Sequence, residues 1–395
     1  MSSKIAASAA VAAAVVVREY DEESDKCDVE EMERKCDETG NHHGKPVLVS
    51  DLLGDPVRRV RHFPSHTMLV AEYGDGRKMV GVVRGCVKTV TRGGNSIFVK
   101  LAYVLGLRVS PSHRNLGIGT KLVRALEEWF KQQGATYAYM ATDYINEPSI
   151  NLFTKKCSYV KFRTPTMLVQ PVHAHTKPIG SDITILRLTP ETAESIYTRI
   201  FKDSEFFPRD IDAILTSRNS LGTFLAVPNE KHGLKSNSEA NFAILSVWST
   251  KDVFRLQMKG VSRLTHAVCS GLRFLDSCMP WMKLPSFPNV FDKFWVYFMY
   301  GMHMEGKDGP RLMRSLCSFV HNIGRYDGGC GALAAELSPS DAVALAVPHW
   351  KRLSWAQDLW CLKKLSGEPD PSDWTNSTSS SSSSSSVIFV DPRDI

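Results

Sequence analysis

The chain has 395 residues, 43% of them hydrophobic and 23% charged, enough apolar material for two domains of about 100–200 residues, each with a buried core. The formal net charge of +6 is thinly spread, and its one basic cluster, Arg58, Arg59 and Arg61, reads as a solvated face, so no direct nucleic-acid binding is expected. No apolar run reaches the roughly 18 residues of a membrane span, and nine scattered cysteines without a C-x-x-C pair argue against a metal site and for reduced thiols.

The N-terminus, MSSKIAASAAVAAAVVV, carries an apolar run after Lys4. That run is mostly alanine and flows into residues 15–17, which a strand requires. Residues 1–14 are therefore expected to be a disordered extension rather than a secretory leader. A strand follows at 15–20, then an acidic helix at 25–37 and a turn-like break at 41–44. Strands 67–73 and 78–91 flank the hairpin turn Gly74-Asp75-Gly76. A second turn at 92–95 leads to a long apolar strand at 98–109. After SPSHRNLGIGT (110–120) the pattern becomes helical, with Leu122, Val123, Leu126, Trp129 and Phe130 on one face until Gly134 ends it. A strand at 137–142, a short helix at 148–156 and closing strands at 158–162 and 166–169 complete a mixed α/β layer domain over 15–175. Residues 171–182 are hydrophilic and read as a linker.

The second half opens with a strand at 183–188 and a helix begun by Thr189-Pro190-Glu191. It then repeats the plan of the first. YVLGLRVSPSHRNLGIGTKLVRAL (103–126) and FMYGMHMEGKDGPRLMRSL (298–316) are each a strand rich in aromatic and apolar residues, a glycine-bearing turn and an amphipathic helix. CGALAAEL (330–337) matches the strand at 137–142, and 350–363 is expected to give paired strands. Residues 183–370 are thus read as a degenerate second copy of the same fold. The Ser/Thr-rich stretch 372–386 is expected to be disordered. The segment 387–395, containing VIFVDPRD, is expected to dock back as a terminal strand.

The segment Arg114-Asn115-Leu116-Gly117-Ile118-Gly119-Thr120 lies between a long strand and an amphipathic helix. Backbone N–H groups at a helix N-terminus suit a pyrophosphate, and glycines let the loop hug it. The Walker spacing is absent, and a dinucleotide fingerprint would need glycine at position 122, which is Leu122.

R-x-x-G-x-G between a strand ending LRV and a helix resembles the cofactor loop of the GCN5-related N-acetyltransferases (GNAT), over residues 15–175. VVVREYDEESD, NLFTKKCSYVKFRTPTMLV (151–169), HWKRLSWAQDLW (349–360) and VIFVDPRD extend the resemblance to plant HOOKLESS-type members along nearly the whole chain. The resemblance implies a GNAT fold, tandem with a degenerate second domain. It implies acetyl-coenzyme A as co-substrate, and no metal. Its pantetheine arm would pair with the backbone of Leu107, Arg108 and Val109. Its pyrophosphate would sit on the amides of 115–120, and Asn146 would contact the arm. It also implies transfer to a primary amine, with a histone lysine as acceptor, in the nucleus and in hormone-dependent growth.

The catalytic groups are harder to place. Amide formation needs a base for the amine and a proton for the departing thiolate. The tyrosine many family members use is missing at Leu152-Phe153-Thr154. Asp143 and Tyr144 are the candidates; Glu72, His113 and Tyr159 are weaker ones. In the second domain Glu305-Gly306-Lys307-Asp308-Gly309-Pro310 puts acids and a proline where phosphate would sit, so no coenzyme A is expected there. Two functions stay open: an N-acetyltransferase, and a coenzyme A-binding regulatory scaffold with little catalysis.

Overall fold

The computed structural model describes residues 15–40, 46–93, 97–229, 241–354, 358–367, 373–375 and 387–395. The expected extension at 1–14, the break at 41–44, part of the turn at 92–95 and nearly all of the Ser/Thr-rich stretch lie outside them.

The first half runs β1 (Val15–Glu19), α1 (Glu22–Gly40), β2 (Val47–Asp51), β3 (Ser65–Tyr73), β4 (Lys78–Arg92), β5 (Ile97–Val109), α2 (Ile118–Gln132), β6 (Tyr137–Asp143), α3 (Glu147–Asn151), β7 (Val160–Arg163) and β8 (Thr166–Pro171). The second runs β9 (Ile183–Leu188), α4 (Pro190–Phe201), α5 (Ile211–Thr216), β10 (Ser220–Pro228), β11 (Phe242–Ser249), β12 (Arg255–Lys259), α6 (Arg263–Cys278), β13 (Trp295–Glu305), α7 (Gly309–Tyr326), β14 (Cys330–Leu337), α8 (Ala342–Ala346) and β15 (Asp358–Lys364). This is the mixed α/β class the patterning predicts.

Sheet membership departs from chain order. One seven-stranded sheet has the order β1-β3-β4-β5-β6-β15-β7, and a six-stranded sheet has the order β8-β14-β13-β11-β10-β9. The strand expected to close the first half, β8, instead pairs with β14 in the second sheet, Leu168 opposite Ala335. The first sheet receives β15 in return, inserted between β6 and β7. The paired strands expected at 350–363 reduce to β15 alone among the described residues, because this strand finds its partners in the other half. A two-stranded ribbon of β2 and β12 adds a third stitch. Residues 172–175, expected as part of a hydrophilic linker, are buried. Their polar groups are satisfied internally: the His173 N–H donates to His321 Nε2, and His175 Nδ1 lies 2.8 Å from Asp276 Oδ1.

The first sheet packs on both faces. On one face α2 buries Ile118, Leu122, Val123, Leu126 and Phe130, each contributing about 2 kcal/mol. The helix can sit this close because β4 presents glycines beneath it. A Cβ on Gly81 would stand 2.9 Å from Leu122, and one on Gly85 would stand 2.7 Å from Leu126 and Phe130. The other face, with Tyr103, Tyr139 and Trp360, looks toward the second sheet. The segment 387–395 runs between the two. It docks as expected, but through one bridge, Ile388 to Glu205, and a single helical turn at Pro392–Asp394. There Lys88 Nζ lies 2.6 Å from Asp394 Oδ2, and Arg393 bridges Asp391 at 2.8 Å and Asp210 at 2.6 Å.

Candidate active site

β5 and β6 are parallel neighbours only over Leu101↔Tyr137 to Val104↔Met140. Beyond that point they diverge. β5 stays with β4 up to Gly81↔Val109, and β6 stays with β15 up to Asp143↔Asp358. A wedge opens between them, bordered on one side by residues 105–109 and on the other by 141–143. The divergence is built in by an irregularity between Val82 and Arg84 and by Gly106 at φ 62°. Arg84 pins this stretch: its guanidinium lies 2.9 Å from Glu33 on α1 and donates to Pro56 O and Gly106 O. Leu107, Arg108 and Val109 therefore offer the wedge a strand edge that β6 does not use. The Arg108 side chain turns away to the Glu33 and Asp37 carboxylates of α1, so its role toward a ligand in the wedge is that of its backbone.

The loop after β5 aims at the same opening. Pro111–His113 form one short turn, Arg114 is extended, Asn115 takes φ 65° and Gly117 takes φ 77° at the cap of α2. Arg114, Asn115, Leu116 and Gly117 are exposed. No side chain caps α2, so the N–H groups of its first turn, from Ile118, Gly119 and Thr120, lack helical partners at the positive end of the dipole. A Cβ on Gly117 would meet nothing within 4 Å, while one on Gly119 would come 3.4 Å from Leu152. The arrangement can bind a diphosphate at α2 and an extended chain along β5.

The remaining candidates fall in different places. Asn146 caps α3: its side chain accepts from the Ser149 N–H and donates to Thr142 Oγ1. Asp143 is exposed and accepts from the Ile145 N–H. Tyr144 is 47% exposed, with Lys161 Nζ 5.9 Å from its ring centre. Glu72 does not face the wedge; it is buried and paired with Arg18 at 2.6 Å. Tyr159 is buried against Phe153. His113 packs on Tyr73 and lies 2.9 Å from Ser112 Oγ.

On the far side of β5 lies a cleft of ≈ 460 Å³, between α1, β2, the 52–56 loop and Lys259 of β12. Glu30, Glu33, Asp37, Asp51 and Asp55 line it beside Arg34, Arg59, Arg84 and Arg108. The β12 contribution was not legible in the sequence, since nothing local marks a strand that pairs across the two halves.

The second sheet repeats the opening. β13 and β14 pair from Trp295↔Cys330 to Phe298↔Ala334 and then part. Residues 387–390 fill that gap, leaving ≈ 30 Å³ between Met299–Met302, Glu336 and Leu337. The turn before α7 is also engaged: the Asp308 N–H donates to Asn241 Oδ1, and Arg311 pairs with Asp182.

A splayed parallel pair leading into an uncapped helix N-terminus is the arrangement of the acetyltransferases. The GNAT acetyltransferase family model matches residues 29–159, and the chain belongs to that family. It is 46% identical to the Arabidopsis thaliana protein named "Probable N-acetyltransferase HLS1", over 96% of this chain and 99% of that one. It is 42% identical to the rice "Acetyl transferase GW6a", over 96% of this chain and 97% of that one. Two solved structures share the fold. One is the GCN5-related glucosamine N-acetyltransferase region of a fungal multi-domain GH3 β-N-acetylglucosaminidase (TM-score 0.55, 16% identity, 89% of this chain, 38% of that one). The other is Saccharomyces cerevisiae N-myristoyltransferase with bound myristoyl-CoA (TM-score 0.54, 10% identity, 91% of this chain, 82% of that one).

Proposed function

We propose that this acetyltransferase moves the acetyl group of acetyl-coenzyme A to a primary amine, with a protein lysine such as that of a histone as acceptor. The observation that carries the reading is the open wedge at 105–109 and 141–143, ending on the uncapped first turn of α2. The amides of 115–120 would hold the pyrophosphate, with Arg114 beside them. The backbone of Leu107, Arg108 and Val109 would pair with the pantetheine arm. Coenzyme A supplies an activated thioester; the chain supplies position and a route for the amine's proton. Action in the nucleus and in plant growth regulation rests on the resemblance alone; a fluorescent fusion tests the first.

The direct test incubates the purified protein with labelled acetyl-coenzyme A and a histone mixture, beside Gly117→Glu. That substitution puts a carboxylate at the α2 N-terminus, where it repels phosphate and strains a left-handed residue. We expect label transfer by the wild type and its loss in the variant. Transfer that survives the substitution would refute the loop assignment. Coenzyme A binding without transfer would favour the regulatory scaffold.

A further inference from the structure

On the face turned toward the second sheet, the paired stretch of the two strands that border the wedge carries no carboxyl. β5 presents Leu101, Tyr103 and Leu105 there, and β6 presents Tyr137, Tyr139 and Ala141. Asp143 at the end of β6 is exposed, Asp358 lies across from it on β15, and Asp394 is held by Lys88 at 2.6 Å; one further carboxyl comes from the second sheet. Glu336, near the end of β14, lies on the side of its strand that looks back at the first sheet. Trp360 lies beside its carboxyl and favours the charged form. Trp360 stands directly across from Ala141, the first β6 residue past the point where β5 and β6 part. Trp360, Tyr139 and Tyr103 form a row of rings, with centroids 5.3 Å and 4.5 Å apart, running from β15 across the mouth of the wedge. Tyr103 is near enough to feel the charge of Glu336.

The carboxyl is incompletely satisfied. Glu336 Oε1 is buried without a hydrogen-bond partner, and so is Nη1 of neighbouring Arg163. An orphaned buried carboxylate oxygen costs about 1–3 kcal/mol, and such groups persist where function uses them.

We infer that Glu336, supplied by the second sheet, accepts the proton of the acceptor amine at the mouth of the wedge. The inference rests on the acetyl-transfer reading above. In the step, an ammonium N–H bond breaks and its proton passes to the Glu336 carboxylate. The freed nitrogen lone pair forms the new bond to the thioester carbonyl carbon, the carbon–sulfur bond breaks with its electron pair leaving on sulfur, and the second proton that nitrogen sheds as the amide forms ends on that thiolate. Burial pushes the Glu336 carboxyl up to about 8. Arg163 on β7 and neighbouring Trp360 pull it down, while Asp358 on β15 and Asp394 push it further up. A base in that range is matched to removing a proton from an ammonium near neutral pH. The second domain then has a use that coenzyme A binding does not explain: it delivers a reacting group.

The test compares full-length wild type, Glu336→Gln, Glu336→Asp and Asp358→Asn. In the absence of any ligand, infrared titration of the wild type should show a protonated carboxyl band persisting to about pH 8, missing in Glu336→Gln. With labelled acetyl-coenzyme A and an amine acceptor, Glu336→Gln should lower kcat on the order of 100-fold and erase the rise of kcat/KM centred there. Coenzyme A affinity and the melting temperature should be retained, and Glu336→Asp should recover part of the rate. Wild-type rate and pH profile in Glu336→Gln would overturn the inference, as would loss of the pH-dependent rise in Asp358→Asn instead. Should Glu336→Gln fail to fold, Glu336→Asp decides: its pH profile must shift, and an unshifted profile overturns the inference. Absence of transfer by the wild type would instead overturn the acetyltransferase reading and the inference with it.

Discussion

Gly106 shows how a single position shapes the wedge. At φ 62°, a Cβ there would stand 2.8 Å from Arg84 Nη1, so alanine would have to strain the backbone and displace the arginine that ties β5 to α1. Gly106→Ala should therefore cost about 1–2 kcal/mol, read as a lowered midpoint in urea. An unchanged midpoint would mean that Arg84 gives way freely. At this scale the sequence was informative where chemistry demands a local pattern. Gly117 was legible because a left-handed cap favours glycine. Glu336 was not: one glutamate in CGALAAEL has no local signature, and its surroundings come from strands distant in the chain. Glu72 was misplaced because alternation along β3 cannot say which face Arg18 will occupy. Asp143 and Tyr144 lie on the exposed turn leaving β6.

At the scale of elements, the buried run 172–175 is held to α6 and α7 by polar contacts, of which the His173 N–H donated to His321 Nε2 requires a neutral His321 imidazole. Burial pushes His173 down to about 4 and His321 down to about 3. Below the ordinary histidine range near 6.5 the unfolded chain takes up protons that the folded chain refuses, so stability falls as pH drops from about 6.5 toward about 4. Each histidine should remove on the order of 2 kcal/mol between pH 7 and pH 5. Denaturation at both values, for the wild type and His321→Gln, checks this; the variant should show a shallower dependence, and equal slopes would contradict it. Helices were the more legible elements. α2 and α7 have their partners beneath them, so amphipathic spacing sufficed. β3, β4, β5 and β6 gave up their existence but not their neighbours, while β2, β10, β11 and β12 were not anticipated. β7 and β8 carry similar short alternations, yet one joins each sheet, a choice made by contacts far apart in the chain.

For the molecule as a whole, the exchange of β8 and β15, the β2–β12 ribbon and the ion network around Lys88 bind the halves into one unit. The repeat between the halves could be read from their parallel strand–turn–helix order; their interweaving could not. The full chain should unfold in a single transition by calorimetry, with calorimetric and van't Hoff enthalpies agreeing. Two resolved transitions would contradict the interlock. A chain cut after residue 175 should lose cooperative unfolding, because β6 is left without β15 and β8 without β14.

The position of β15 also sets an order of events during synthesis. β6 leaves the ribosome long before residues 358–364 exist, and until they do its outer edge has no partner. An unpaired edge of this kind is a template for pairing with other chains, and incomplete multidomain intermediates aggregate through such surfaces. The nascent first half must therefore be shielded, by chaperones or by slow collapse, until β15 arrives. The β6 wall of the wedge is thus braced late, when β15 pairs along its opposite edge.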